Sequence, residues 1–196
     1  MNLGQRQFNE ALTTLGDVLA ERGLAYEVVL VGGGSLLLRG IIARPTKDAD
    51  VVGMRLASGD IAKVDALPEP LARAVRDVGD ALGLAPDWLN LGPASLLELG
   101  LPAGFADRLS RAVFGALVVW FAGVYDLICL KLNAAADHWP SRDRHLEDLR
   151  ALHPTRAELA EAARWARTHD PSPAFRSLLA AVLREMGTED ADVAVE

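Results

Sequence analysis

The chain reads as an α/β protein of the α+β kind, with a small mixed sheet flanked by helices and a C-terminal part that is helical. Three observations predict it. "AYEVVLV" (25–31) is β-branched and apolar without alternation, as a strand buried on both faces is, and it lies directly after an amphipathic helix and directly before three glycines. "DADVVGM" (48–54) is a second strand candidate whose polar residues sit at its start. From Val124 onward the helix signals run on unbroken by a strand candidate.

Each element has its reason. Phe8, Leu12, Leu15 and Leu19 recur at helical spacing, which predicts a first helix ending near Gly23. The strand from Ala25 follows, and "SLLLRG" predicts a short helix opening at Ser35 and stopping at Gly40. After the second strand, "ASGDIAKVDALPEP" is a polar connector, and Leu71, Val75, Val78 and Leu82 mark a helix ending at Gly83. "GPASLLELGLPAGFADR" is punctuated by glycine and proline and resists assignment. "GALVVWFAG" reads as a third strand, and "VYDLICLKLNAAADHW" as a largely buried helix. Ser141 is positioned to cap "RDRHLEDLRAL", Thr155 with Glu158 has capping-box spacing, and Ser172 precedes a proline at the first helical position. The expected division is a core over 1–122, a helical part over 123–187 and an acidic tail over 188–196.

Composition bounds the function. The 196 residues are 51% hydrophobic, with a mean hydropathy of +0.16, which is enough for a well-buried core. No apolar run has membrane-helix length and the N-terminus is amphipathic, so a cytoplasmic protein without membrane association is expected. The single cysteine, Cys129, excludes an internal disulfide and reads as a buried small hydrophobe in "LICL". A net charge of −7 argues against broad coating of nucleic acid, though a local basic patch is compatible with it.

The informative stretch is "VVLVGGGSLLLRGIIARPTKDADVVGM". On a strand Asp48 and Asp50 project to one side and Ala49 to the other. Paired carboxylates are tolerable when a cation lies between them, and oxygen ligands of this kind suit Mg²⁺ or Mn²⁺ rather than zinc. Gly32, Gly33 and Gly34 carry no β-carbon and let backbone N–H groups approach a ligand closely. The bland readings stand beside these: a tight turn for the glycines, solvated or capping aspartates for the acids. No "GK[ST]" follows the glycines and no GxGxxG register is present, so neither a Walker loop nor a dinucleotide fingerprint fits.

A hydrophobic residue, Gly-Ser, about a dozen residues and then Asp-x-Asp on a strand resembles the signature of the polymerase-β-type nucleotidyltransferase superfamily; here the elements are "VGGGS" and "DADVV". More narrowly, "GGGSLLLRG", "RPTKDADVV", "DLICLKLNAAADHWPSRDRHLEDLRAL" and "PTRAELAEAARW" together resemble the AbiEii/MenT-like bacterial nucleotidyltransferases, many of them toxins of toxin–antitoxin pairs. The resemblance runs from about Ala25 to Trp165. It implies a nucleotidyltransferase-type fold and transfer of a nucleoside monophosphate from an NTP to an acceptor such as tRNA, with a cognate antitoxin as a possible partner. Asp48 and Asp50 would hold the metal ions, and Gly33, Gly34 and Ser35 the outer phosphates. Thr46 is open between a phosphate contact and a local side-chain-to-backbone bond after Pro45. Lys131, in an otherwise apolar helix, would meet the triphosphate; the alternatives are solvent, Asp126 or Asp137. Of Asp143 and Asp148 in the next helix, Asp148 in "LEDL" is preferred, with Arg144 placed to orient it.

The pattern also departs from the family. His145 stands where many relatives carry a second acid, and "ALVVWF" holds no acid to act as base, leaving Asp148 or Asp87, or no fixed base at all. His138, His153 and His169 read as surface or capping residues. Arg39, Arg44, Lys47 and Arg55 flank the acids and either attract an anionic acceptor or form an ordinary charged surface. A small-molecule acceptor such as an antibiotic, and a non-catalytic nucleotide-binding module, are the other readings.

Overall fold

The computed structural model describes residues 3–141 and 144–188, and divides into two compact units, Met1–Ala122 and Gly123–Glu196. Among the described residues are eight α-helices and one mixed sheet of six strands, so the α/β expectation holds.

The first unit opens with α1 (Gln5–Glu21), whose buried stripe of Phe8, Leu12, Leu15 and Leu19 is the one its periodicity predicts. The chain turns at Gly23 into β1 (Tyr26–Val31) and then directly into α2 (Gly32–Leu38). Here the structure differs from the expected helix start at Ser35: the glycines are the helix's first turn, and Ser35 is its fourth residue. Gly32 makes this possible, because its φ of +68° swings the chain from strand to helix without a connecting loop. Next come β2 (Ala49–Arg55) and the two-residue β3 (Ile61–Ala62). They lead to α3 (Glu69–Leu82), which is closed by a left-handed Gly83. After the two-residue β4 (Leu89–Asn90), the unassigned segment resolves into 3₁₀ turns at Gly92–Ser95 and Phe105–Asp107 around the short α4 (Leu96–Leu99).

"LVVWF" is a strand, but the last of the sheet to be reached: it is β6 (Leu117–Phe121), hairpinned to β5 (Ser110–Phe114) through Gly115 and Ala116. The strand order is β3-β2-β1-β6-β5, with β4 added parallel to the start of β2. β1 is therefore central, antiparallel to β2 and parallel to β6. One face of the sheet, through Val28, Leu30, Ala49, Val51, Leu117 and Val119, packs on α1 and α3 as a single core. Trp88 closes that core and satisfies its own N–H by donating to the Val75 carbonyl at 2.9 Å.

The second unit is helical: α5 (Val124–Asp137), α6 (Arg144–Ala151), α7 (Arg156–His169) and α8 (Pro173–Glu185). α5 packs against the other three, and Cys129 is buried in it and in no disulfide, as expected of a small hydrophobe. Thr155 and Glu158 form the expected capping box, and Ser172 caps α8 ahead of Pro173. Residues 142 and 143, the second being the candidate Asp143, and the acidic tail from 189 lie outside the described residues. No described helix is long and apolar enough to cross a membrane.

Candidate functional site

The chemistry-bearing residues of the first unit gather where β1 ends and β2 begins. Antiparallel pairing sets Val31, the last residue of β1, opposite Asp50, so Gly32 comes out of the sheet beside that acid. The contact is tight: a β-carbon on Gly32 would displace the Asp50 carboxylate. A β-carbon on Gly33 would stand 2.6 Å from the Thr46 hydroxyl, and one on Gly34 would stand 2.8 Å from the Phe8 ring. The glycines and the acid strand are thus pressed together. Of the three, Gly32 is the one that meets an acid, while Gly33 and Gly34 are held to glycine by packing.

Asp48 is half-buried just ahead of β2, separated from Asp50 by the fully buried Ala49. Two interactions steer this entry to the strand. The Ala49 N–H donates to the Trp88 carbonyl at 2.6 Å, which brings β4 alongside. Thr46 exchanges both backbone hydrogen bonds with Leu3, at 2.7 and 2.9 Å. The Thr46 hydroxyl donates to the Asp48 carbonyl at 3.2 Å, the local bond left open by the sequence, so the structure uses it to shape the turn that carries Asp48. Ser35 is fully buried, and its hydroxyl donates to the Leu30 carbonyl at 2.9 Å, bracing α2 on β1.

The strand that carries "ALVVWF" does not adjoin the acids. β6 neighbours β1, whereas the strand that flanks Asp50 on its other side is β4, with Asn90 in register with Asp50. An acid missing from "ALVVWF" therefore says nothing about the neighbours of Asp50. Asn90 escaped the sequence reading because a two-residue strand has no periodicity; its one signal is the Asn-x-Gly turn, in which Asn90 Oδ1 accepts from the Gly92 N–H at 2.7 Å.

The flanking cations divide. Arg39 is tied into the sheet, donating through Nε to the Ala122 carbonyl at 2.7 Å and through Nη2 to Ser110 Oγ at 2.9 Å, over the Phe121 ring. Arg55 lies 5.0 Å from the centroid of Trp120, whose N–H donates to Glu27. Arg55 also lines a cleft of about 420 Å³ with Tyr26, Glu27 and Leu56, at the opposite end of β2 from the acids. Arg44 reaches back to the Pro45 carbonyl at 3.4 Å, and Lys47 is exposed.

In the second unit Lys131 and Asp148 meet. The ammonium on α5 lies 2.7 Å from Asp148 Oδ2 on α6, with side chains 7% and 0% exposed. Lys131 therefore pairs with the other candidate rather than with Asp126 or Asp137. Arg144, expected to orient Asp148, is exposed at the start of α6, and Lys131 holds the carboxylate instead. His145 stacks on His138 with ring centroids 4.9 Å apart, and His169 packs on Trp165. Asp87 is exposed in the turn before β4, where its carbonyl accepts from the Asn90 amide at 3.2 Å.

Residues 9–151 match the model of one family, described as "Nucleotidyltransferase of unknown function (DUF6036)". The chain belongs to the DUF6036 family. No curated protein and no solved structure matches it. The matched span includes the β1–α2 junction, Asp48 and Asp50, Asn90 and the Lys131–Asp148 pair, so every candidate site residue of this DUF6036 member lies inside the family's boundaries.

The residues present fit a divalent ion of the Mg²⁺ or Mn²⁺ type. Asp48 and Asp50 offer hard oxygen ligands, and the absence of a β-carbon at Gly32 leaves the Asp50 carboxylate in contact with bare backbone. No group of three or more His, Cys, Asp or Glu side chains able to hold a metal occurs among the described residues. An ion held by two carboxylates would take its other ligands from water and substrate, the usual habit of Mg²⁺.

Proposed function

We propose that this nucleotidyltransferase-family chain transfers a nucleoside monophosphate from an NTP to a macromolecular acceptor, and that the transfer depends on Mg²⁺ or Mn²⁺. The observation that supports it is the Asp50 carboxylate packed against Gly32, with Thr46 against Gly33: an acid and glycine backbone share one place, as a metal–triphosphate site requires. In the reaction an acceptor hydroxyl oxygen attacks the α-phosphorus and the bond to the β-phosphate oxygen breaks. Pyrophosphate leaves, and the hydroxyl proton passes to water or a nearby acid. A bound divalent ion would supply charge neutralisation at the attacking and leaving oxygens.

Asp48 and Asp50 hold that ion in this reading. Gly33, Gly34 and Ser35 shape the backbone beneath the outer phosphates, the Ser35 hydroxyl acting through its bond to Leu30. Thr46 fixes the turn that presents Asp48. Lys131 and Asp148 belong to the same reaction by the resemblance, with Lys131 on the triphosphate and Asp148 holding it. Their own geometry adds that the lysine is held against a carboxylate with almost no exposure. The acceptor proposed is tRNA, and the setting a toxin with a cognate antitoxin in the cytoplasm. Both rest on the AbiEii/MenT-like likeness of the segments quoted above.

Incubation with Mg²⁺, each labelled NTP in turn and total RNA tests this. Label should enter RNA with the wild type and fall by at least about a hundredfold in Asp48→Asn and Asp50→Asn. Equal labelling by wild type and both variants would overturn the reading. A second reading, nucleotide binding without turnover, is favoured by the neutral Asn90 beside Asp50; it predicts thermal stabilisation by Mg²⁺ with an NTP and no labelled product.

A further inference from the structure

We propose that Asn90 makes metal capture at Asp48 and Asp50 conditional on the nucleotide, so that the ion is held firmly only together with the triphosphate. This rests on the reading of those acids as the metal site.

The strand register carries the inference. β4 runs parallel to the start of β2 and pairs Asn90 with Asp50, so their α-carbons are one strand spacing apart, about 4.8 Å, with side chains on one face of the sheet. Any ligand added to Asp50 from the neighbouring strand would have to come from position 90. The side chain there is neutral and already committed: Oδ1 accepts from Gly92 N–H at 2.7 Å and Nδ2 donates to the Asp87 carbonyl at 3.2 Å. A β-carbon on Gly92 would sit 2.9 Å from that same oxygen, so the turn closes over it. Among the described residues of β2 and β4 and the turn ahead of β2, the acids read as ligands are thus Asp48 and Asp50, and position 90 adds no third carboxylate. Mg²⁺ demands six oxygens in near-ideal octahedral geometry and gives up water reluctantly, so two carboxylates alone make a weak site. The triphosphate supplies the missing oxygens and charge.

Substitution of Asn90 by Asp tests this directly. The change is isosteric and leaves an oxygen to accept the Gly92 N–H; it gives up the Nδ2 donation to the Asp87 carbonyl and sets a third carboxylate beside Asp50. Mn²⁺ binding to the full chain is measured by electron paramagnetic resonance, with and without a non-hydrolysable NTP analogue. The wild type should bind Mn²⁺ weakly alone and at least about tenfold more tightly with the analogue. Asn90→Asp should bind Mn²⁺ alone at least about tenfold more tightly than the wild type, with a smaller gain from the analogue. Asn90→Ser, neutral and able to keep the turn, should retain the wild-type pattern. If Asn90→Asp titrates like the wild type while Asp50→Asn abolishes analogue-dependent binding, the role of Asn90 is overturned and the metal site stands. If Asp48→Asn and Asp50→Asn bind Mn²⁺ like the wild type under both conditions, the metal site falls and the proposal with it. Should Asn90→Asp fail to fold, the wild type decides alone: tight Mn²⁺ binding that the analogue does not strengthen overturns the proposal.

Discussion

Gly32 bears two constraints at once, and they can be separated. Its φ of +68° is in the left-handed region, and its missing β-carbon is the space that the Asp50 carboxylate occupies. Gly40 has the same φ, but a β-carbon there would meet nothing within 4 Å. Gly40→Ala therefore carries only the backbone penalty, roughly 1 kcal/mol, whereas Gly32→Ala adds a displaced carboxylate. We expect Gly40→Ala to lower the urea midpoint and leave nucleotidyl transfer intact, and Gly32→Ala to abolish transfer beyond what its stability loss explains. Equal activities at matched folded fractions would show that the Gly32–Asp50 contact has no part in turnover. The residue type at 32 was legible in the sequence, but the contact was not. That Gly33 and Gly34 face Thr46 and Phe8 while Gly32 faces the acid follows from the chain turning into helix three residues earlier than Ser35 suggests.

Helices α5, α6 and α7 carry predictions of their own. The Lys131–Asp148 pair joins α5 to α6 with almost no exposure, so removing one partner leaves a buried charge without its counter-ion. Lys131→Met should destabilise by about 3–5 kcal/mol, and the double variant Lys131→Met with Asp148→Leu should recover most of it. If the stable double variant still lacks transfer activity, the pair serves chemistry as well as folding; full activity would confine it to folding. At the start of α7, the Thr155 N–H and hydroxyl hold the Glu158 carboxyl below its usual range. A depressed folded-state pKa means that this stabilisation is complete above the ordinary glutamate range and is lost as pH falls through the lowered value. Thr155→Ala should cost about 1 kcal/mol at neutral pH and less at pH 3, read from melts at both.

Legibility at this scale followed from periodicity. β1 announced itself because burial on both faces gives an unbroken apolar run, and α1, α3 and α5 because their stripes are long. β5 escaped because it alternates over only five residues at a half-exposed edge, although Gly115-Ala116 is a two-residue hairpin loop of a favoured kind. β3 and β4 escaped because two residues have no period, and with β4 went the neighbour of Asp50. The Lys131–Asp148 pairing was half legible. An ammonium in an apolar helix needs a partner, but which acid supplies it depends on how α5 and α6 pack.

For the molecule as a whole, charge governs how an acceptor can be met. The chain carries a net charge of −7, and Arg39 and Arg55, two of the four cations that flank the acids in sequence, are engaged with the sheet. An RNA acceptor would then be held by few phosphate contacts, and its affinity should fall only gently with salt, the logarithmic slope corresponding to about one to three neutralised phosphates. A steep slope would reveal a basic surface that these residues do not form.

The account turns on Asp48 and Asp50 holding the ion that brings the triphosphate, and calorimetric titration of a non-hydrolysable Mg²⁺–NTP analogue into wild type, Asp48→Asn and Asp50→Asn tests it most directly. The predicted result is saturable binding to the wild type, weakened at least about tenfold in each variant while their melting temperatures stay close to wild type. Equal affinity in all three folded proteins, or no binding to the wild type, would contradict it.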